Sequence, residues 1–284
     1  MISIIICSRK AQISSVLFQN IMDTIGCHYE LIVIDNSENK YSIFEAYNAG
    51  IKKSSGNYLC FIHDDIKFHT ANWGEIIESI FESEKKIGLI GIAGTKLKTK
   101  MPSSWWDTNY NVLKIKQHYK DGSTEILDKG FEISDIVEVV AIDGVFMAMR
   151  RNDKFIFDEQ LKGFHNYDLY LSLQNYKQQK KICVTNRIFL EHFSEGNLNT
   201  LWIESTSSFH KKYKNDFPIY LKEQFSKEHI KKLEYKIGVK FIATLIEQKM
   251  YKDAIYWWYK IFKIHPFSKY HYKFWKDMLK KISC

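Results

Sequence analysis

Three polar clusters each follow an apolar, β-branched run: Ser8-Arg9 after ISIIIC, Asp35-Asn36-Ser37 after ELIVI, and His63-Asp64-Asp65 after YLCFI. Such runs read as buried strands, and in a parallel sheet ligands bind beyond the carboxyl ends of the strands. Singly, Asp and Asn favour turns and Ser caps helices. Three polar strand ends converging on one sheet edge point instead to a ligand. The third cluster is the sharpest, because two adjacent carboxylates repel unless a positive charge sits by them. Carboxylate oxygens suit Mg²⁺ or Mn²⁺. Successive side chains of a strand point to opposite faces, so His63 and Asp65 share one face and Asp64 takes the other.

The elements that must position these groups follow a rhythm. Apolar runs begin at Ile2, Glu30, Tyr58 and Ile87, at intervals of 28, 28 and 29 residues. Between them lie helical stripes: Ile13, Val16, Leu17, Ile21 and Ile25, then Trp73, Ile76, Ile77, Ile80 and Phe81. This βαβ signature predicts an α/β, Rossmann-like fold, with a mostly parallel sheet flanked by helices. The segment ICSRKAQIS after the first run carries neither GxGxxG nor GxxxxGK[ST], which disfavours a dinucleotide or P-loop site. Residues 99–135, with Pro102, Trp105 and Trp106, break the rhythm and read as a long excursion from the sheet. The two tryptophans suit either a sugar-stacking platform or an anchor for that loop. A strand pair is expected over Val137 to Met149, a helix from about Tyr167 and a short strand over Ile182 to Phe189. From Leu201 onward the pattern is helical, with stripes at Leu233, Ile237, Phe241 and Leu245, at Tyr251, Ala254, Ile255, Trp258 and Phe262, and, after Pro266, at Phe267, Tyr270, Phe274 and Met278.

Composition bounds the remaining choices. With 284 residues, 45% hydrophobic and 26% charged, the chain is neither disordered nor too small for a core. No apolar run approaches the ~20 residues that span a bilayer, and the short run Met1 to Cys7 meets Arg9 and Lys10 at once, unlike a signal peptide. Cys7, Cys27, Cys60, Cys183 and Cys284 form no CxxC pair, which argues against a disulfide framework or structural zinc and fits a reducing cytoplasm. The net charge of +8 is concentrated in residues 221–284, which hold 15 Lys and no Arg against 6 acidic residues. Lysines interleaved with Trp257, Trp258, Tyr259, Tyr270, Tyr272, Phe274 and Trp275 suit peripheral contact with an anionic membrane, or a solvated helical face. The lack of Arg argues against nucleic acid as the partner.

Motif order carries a resemblance. ISIIICSR, ELIVIDNSEN and Glu45-Ala46-Tyr47-Asn48-Ala49-Gly50-Ile51, followed by Ser55-Gly56-Asn57-Tyr58 and His63-Asp64-Asp65, resemble the opening strand, nucleotide strand and DxD stretch of a GT-A-fold glycosyltransferase of the inverting family 2 type. Ala141 to Arg150 resembles the acceptor-side strand, and Phe157-Asp158-Glu159 with Gly163-Phe164-His165-Asn166-Tyr167-Asp168 resembles the approach to the catalytic acid. The chain departs from the pattern twice: His63 stands where the first Asp of DxD is usual, and Tyr167 where many relatives carry Glu. His192, in EHFSEG, resembles a late histidine that completes the metal site. The resemblance covers about residues 1–215 and implies a GT-A-like domain there, with a basic, aromatic-rich helical extension over 216–284.

The resemblance implies transfer of a sugar, with inversion, from a nucleotide-sugar donor, UDP-linked, to a hydroxyl of a saccharide or lipid-linked acceptor. Bacterial surface-polysaccharide synthesis at the inner face of the membrane is the setting it suggests. Asp65, His63 and His192 are then the metal residues, for Mn²⁺ or Mg²⁺. Ser8, Arg9, Asp35, Asn36, Asp64 and Asp143 hold the donor, with Asp35 towards the base and Asp143 in a bend before Gly144. Asp168, at a helix start, is the general base; an ordinary first-turn acid is the bland alternative. His165 lies near the acceptor or in a plain loop. Two other functions stay open: a nucleotidyltransferase, against which the glycine-free first loop speaks, and a catalytically silent carbohydrate-binding or scaffold protein.

Overall fold

The chain is described by a computed structural model over residues 1–196 and 198–282; Cys284 lies outside the described residues. The elements run β1 (Ile2–Ser8), α1 (Ser15–Thr24), β2 (Tyr29–Asp35), α2 (Ile43–Lys53), β3 (Tyr58–Ile62), β4 (Ile66–Phe68), α3 (Trp73–Ser83), β5 (Ile87–Gly91), β6 (Ala93–Thr95), β7 (Leu97–Lys98), β8 (Asn111–His118), β9 (Thr124–Lys129), β10 (Ile136–Val139), β11 (Ala141–Ile142), β12 (Phe146–Arg150), α4 (Tyr167–Lys177), β13 (Lys181–Thr185), β14 (Leu190–His192), α5 (Thr200–Lys212), β15 (Ile219–Tyr220), α6 (Lys227–Glu247), α7 (Tyr251–Ile264) and α8 (Tyr270–Ile282). They form two compact units. One runs from Met1 to Lys96 and resumes at Tyr110; the other holds Leu97–Asn109 and begins again at Leu198.

The first unit is built on a seven-stranded sheet of order β10-β13-β5-β12-β3-β1-β2. β3 and β5 are buried along their whole length, which is why they read as unbroken apolar runs rather than alternating ones. Local signals start the helices: Ser14 caps α1, and Ser42 with Glu45 forms a capping box on α2. The expected mostly parallel sheet is parallel only in part. β1 runs parallel to β2 and β3, and β5 to β13, whereas β12 lies antiparallel between β3 and β5, and β10 antiparallel to β13. β12 follows β11, a strand of the second sheet, after residues 143–145.

A second sheet, of order β11-β6-β8-β14-β4, carries β9 on β8. Much of the expected excursion over 99–135 is therefore the antiparallel pair β8–β9, with Leu113 opposite Lys129 and His118 opposite Thr124.

The second unit is helical apart from the short pair β7–β15. Met101, Ile203, Ile237, Phe241, Leu245, Trp257, Ile261, Phe274 and Met278 share its core. Ile203 of α5 and Met101, far upstream, bury together with the tail helices. Trp105 and Trp106 form a 3-10 turn in this unit, edge to face at 5.4 Å. On the buried side of α6, Glu234 accepts hydrogen bonds from the backbone N–H groups of Lys100 (2.5 Å) and Met101 (2.8 Å). Burial outweighs these donors and the nearby lysines and pushes its carboxyl up to about 7.

That shift sets a pH dependence. Glu234 binds its proton more tightly in the folded chain than at its ordinary value of 4.5. Between those values the unfolded chain has released the proton and the folded one has not, so stability contributed by this group is present at low pH and is lost as pH rises through about 7. Urea unfolding of the parent and of Glu234→Gln at pH 5, 6, 7 and 8 measures it. The parent is expected to lose on the order of 3 kcal/mol more than the variant across that range.

Candidate metal and nucleotide site

The chain leaves the sheet at the end of β3, where the His63 N–H donates to the Val145 carbonyl (3.2 Å). Asp64 turns towards β1. Its carboxylate accepts from the Ser8 hydroxyl (3.3 Å), the Arg9 N–H (3.2 Å) and the Arg9 guanidinium (3.4 Å). His63 and Asp65 turn to the other side and meet His192 at the end of β14. His63 Nδ1 lies 3.3 Å from His192 Nε2, and Asp65 Oδ1 lies 3.7 Å from the first and 3.5 Å from the second. The three ligand atoms fall within 4.8 Å of one another.

The hydrogen-bond network around these side chains decides which atoms face inward. Gln117 of β8 stands in register with His192. Its amide nitrogen donates to the carbonyls of His118 (2.7 Å) and Ser194 (2.8 Å), so its oxygen is the atom that accepts from His192 Nδ1 (3.0 Å). His192 then carries its proton on Nδ1 and presents a bare Nε2. Burial works against the Asp65 carboxylate, but the polar groups of His192, Ser194 and His63 around it hold it far below the usual carboxylate range. Burial, reinforced by His192, lowers the His63 imidazole despite Asp65. Two imidazole nitrogens and a carboxylate oxygen form a donor set that fits a first-row divalent cation such as Mn²⁺.

On the opposite face of β14, Glu191 is only 8% exposed. It accepts from His69 (2.9 Å), Lys116 (2.9 Å) and His118 (2.6 Å). Burial would raise its carboxyl, but these donors override it and hold the group down to about 2.

The other expected residues lie around the strand ends. Ser8 stands opposite Asp35 in the β1–β2 register. Asp35 is exposed and accepts from the N–H (2.9 Å) and hydroxyl (2.7 Å) of Ser37, which lower its carboxyl. Asn36 is buried, donates its N–H to the Ser8 carbonyl and commits its side chain to both backbone groups of Tyr41 at 2.9 Å. It shapes the loop that follows β2. Asp143 accepts from the Val145 N–H (2.8 Å) in the bend before β12. Asp168 lies in the first turn of α4 and accepts from its neighbour's N–H, that of Leu169 (2.7 Å). Burial lowers the His165 imidazole. Two residues that sequence reasoning did not place at the site are Gln117 and Tyr167, whose hydroxyl lies 2.7 Å from His63 Nε2. Alternation along NVLKIKQH shows that Gln117 shares a face with Ile115, but its partner lies 75 residues away.

This fold is GT-A-like, with an ionisable cluster at the ends of β1 and β3. The chain belongs to the Glycosyltransferase like family, whose model matches residues 3–224. Among solved structures it is similar to GalNAc-T7 with UDP, GalNAc and Mn²⁺, at 11% identity and a TM-score of 0.50, over 75% of this chain and 49% of that one. The chain thus spans about half the length of that relative. A197 from STIV is similar at 11% identity and a TM-score of 0.41, over 68% of this chain and 86% of that one. No curated protein matches.

If the triad holds a cation, Mn²⁺ must raise the melting temperature of the parent. A ligand at ~100 times its Kd adds about 2.7 kcal/mol. Asp65→Ala is expected to fold and to lose this Mn²⁺-dependent shift; an equal shift in both proteins would place the cation elsewhere.

Proposed function

We propose that the chain transfers a glycosyl group, with inversion, from a nucleoside-diphosphate sugar to a hydroxyl acceptor. The observation that carries the proposal is the meeting of His63, Asp65 and His192 beside the Ser8–Arg9–Asp64 cluster at the ends of β1 and β3. His63, Asp65 and His192 would hold a divalent cation, which supplies positive charge to a diphosphate leaving group. Arg9 has an exposed guanidinium at the same edge and is suited to a phosphate. Ser8, Asp35 and Asn36 lie at the ends of the first two strands, where we place the nucleoside, and Asp143, in the bend before β12, is assigned to the donor sugar. UDP is the nucleotide we favour, since the GT-A-like relative above binds it.

In the reaction, the acceptor oxygen attacks the anomeric carbon as the bond to the diphosphate oxygen breaks. The acceptor proton passes to a carboxylate, and Asp168 is our candidate. It follows Tyr167, which touches His63, so the start of α4 lies next to the cation ligands. Asp168→Asn keeps the shape and removes basicity. It is expected to lower kcat by ~10²–10⁴-fold with donor affinity little changed, as read by steady-state kinetics and donor titration. Turnover near the parental rate would remove Asp168 from this role.

A saccharide or lipid-linked acceptor in bacterial surface-polysaccharide synthesis, met from the cytoplasmic side of the membrane, is the setting we favour. No helix among the described residues is long and apolar enough to cross a membrane. Support for a peripheral contact comes from the second unit. Trp257 and Phe274 are core residues, but Tyr259, Phe262, Phe267, Tyr272, Trp275 and Leu279 are exposed among the lysines of α7 and α8. Each lysine near an anionic surface is worth about 1 kcal/mol at most. Co-sedimentation with vesicles containing phosphatidylserine at low salt should exceed that with neutral vesicles. Replacing Lys260, Lys263, Lys273 and Lys276 by Glu should abolish the difference, and equal sedimentation would assign these helices to another role.

A further inference from the structure

We infer that Tyr167 is a positioning residue of the metal centre: its hydroxyl accepts the Nε2–H of His63 and so leaves the Nδ1 lone pair facing Asp65 and His192. The inference rests on the reading of the triad as a cation site.

A neutral imidazole carries one proton. If His63 kept it on Nδ1, that N–H would point at the bare Nε2 of His192, 3.3 Å away, and a hydrogen bond would fill the place of the cation. Ligation needs the other tautomer, with the proton on Nε2. Against the buried Tyr167 ring, an Nε2–H without an acceptor is costly. Tyr167 Oη stands at 2.7 Å from Nε2 and meets the need. His192 is served in the same way by the Gln117 oxygen (3.0 Å). Each histidine thus has an oxygen acceptor on the side away from the centre, the arrangement that fixes tautomer and ring orientation in metal sites.

The hydroxyl is held in place by packing. The Tyr167 ring meets the Tyr47 ring edge to face at 5.5 Å. A Cβ on Gly144 would lie 2.2 Å from the hydroxyl, so the absence of a side chain there makes its room. A tyrosine at this position supplies packing and an acceptor; a phenylalanine supplies the packing alone.

Mn²⁺ affinity, read by the electron paramagnetic resonance signal of free Mn²⁺ in the absence of donor, tests this. Four proteins are compared: the parent, Tyr167→Phe, His63→Ala and the double variant. Tyr167→Phe is expected to weaken Mn²⁺ binding by ~10–100-fold, with the metal-free melting temperature close to the parent's. In the His63→Ala background the same change should alter affinity less than about two-fold, because the imidazole that Tyr167 orients is gone. Parental Mn²⁺ affinity in Tyr167→Phe, or an equal loss in both backgrounds, overturns the inference while leaving the cation site intact. A parent chain that takes up no Mn²⁺ overturns the cation site and this inference together.

Discussion

The site depends on how β3 ends. This strand is buried between β1 and β12, so its backbone cannot turn to suit the residues that follow. Ile5 lies opposite Phe61, and three residues on, the same register brings Ser8 to Asp64, where they bond. Phe146 lies opposite Ile62 across the antiparallel pair, and one step further Val145 receives the N–H of His63. In the bend that follows, His63 and Asp65 reach the side on which β4 and β14 pair, with His192 opposite Ile66. One parallel neighbour, one antiparallel neighbour and a second sheet thus converge on three successive residues.

Much of this was legible in the sequence because it is local. The four apolar runs at Ile2, Glu30, Tyr58 and Ile87 lie on β1, β2, β3 and β5, and the His63-Asp64-Asp65 cluster follows β3 directly. What stayed hidden is non-local. Lys116 and Gln117 sit on a strand whose Lys/Ile alternation was overshadowed by the tryptophans upstream. The identity of the partner of Gln117 depends on the β8–β14 register, which no local pattern encodes. Likewise Leu97–Asn109 belongs with helices that begin a hundred residues later, because Met101 supplies apolar surface to their core and the Lys100 and Met101 N–H groups meet Glu234. The part-antiparallel sheet was hidden for the same reason, since an apolar run such as FMAM reads alike in either direction.

The two departures from the family pattern noted in the sequence touch each other. His63 and Tyr167 lie 104 residues apart and meet at 2.7 Å. An imidazole, unlike a carboxylate, has two chemically distinct nitrogens, so it needs a partner that selects between them; a tyrosine hydroxyl can do that without bringing a charge. Read separately, each substitution weakens the resemblance. Read as a pair, they describe one alternative way of building the same edge. The second unit shows a related economy: Lys98 is buried with its ammonium on the Ser103 carbonyl and hydroxyl, so that unit carries polar groups in its interior that only one packing satisfies.

Glu191 and His192 are neighbours on one short strand, and their side chains are anchored on opposite faces. Three donors converge on the first, and the second is braced by Gln117. The consequence is preorganisation. Side-chain ordering commonly costs ~0.5–1.5 kcal/mol per immobilised group at the moment of association. At β14 that entropy is surrendered during folding, when the Glu191 clamp closes, and little is left for an incoming ion to freeze. A cation bound at the proposed centre would meet a histidine already fixed by folding, so the site would discriminate by fit rather than by adapting.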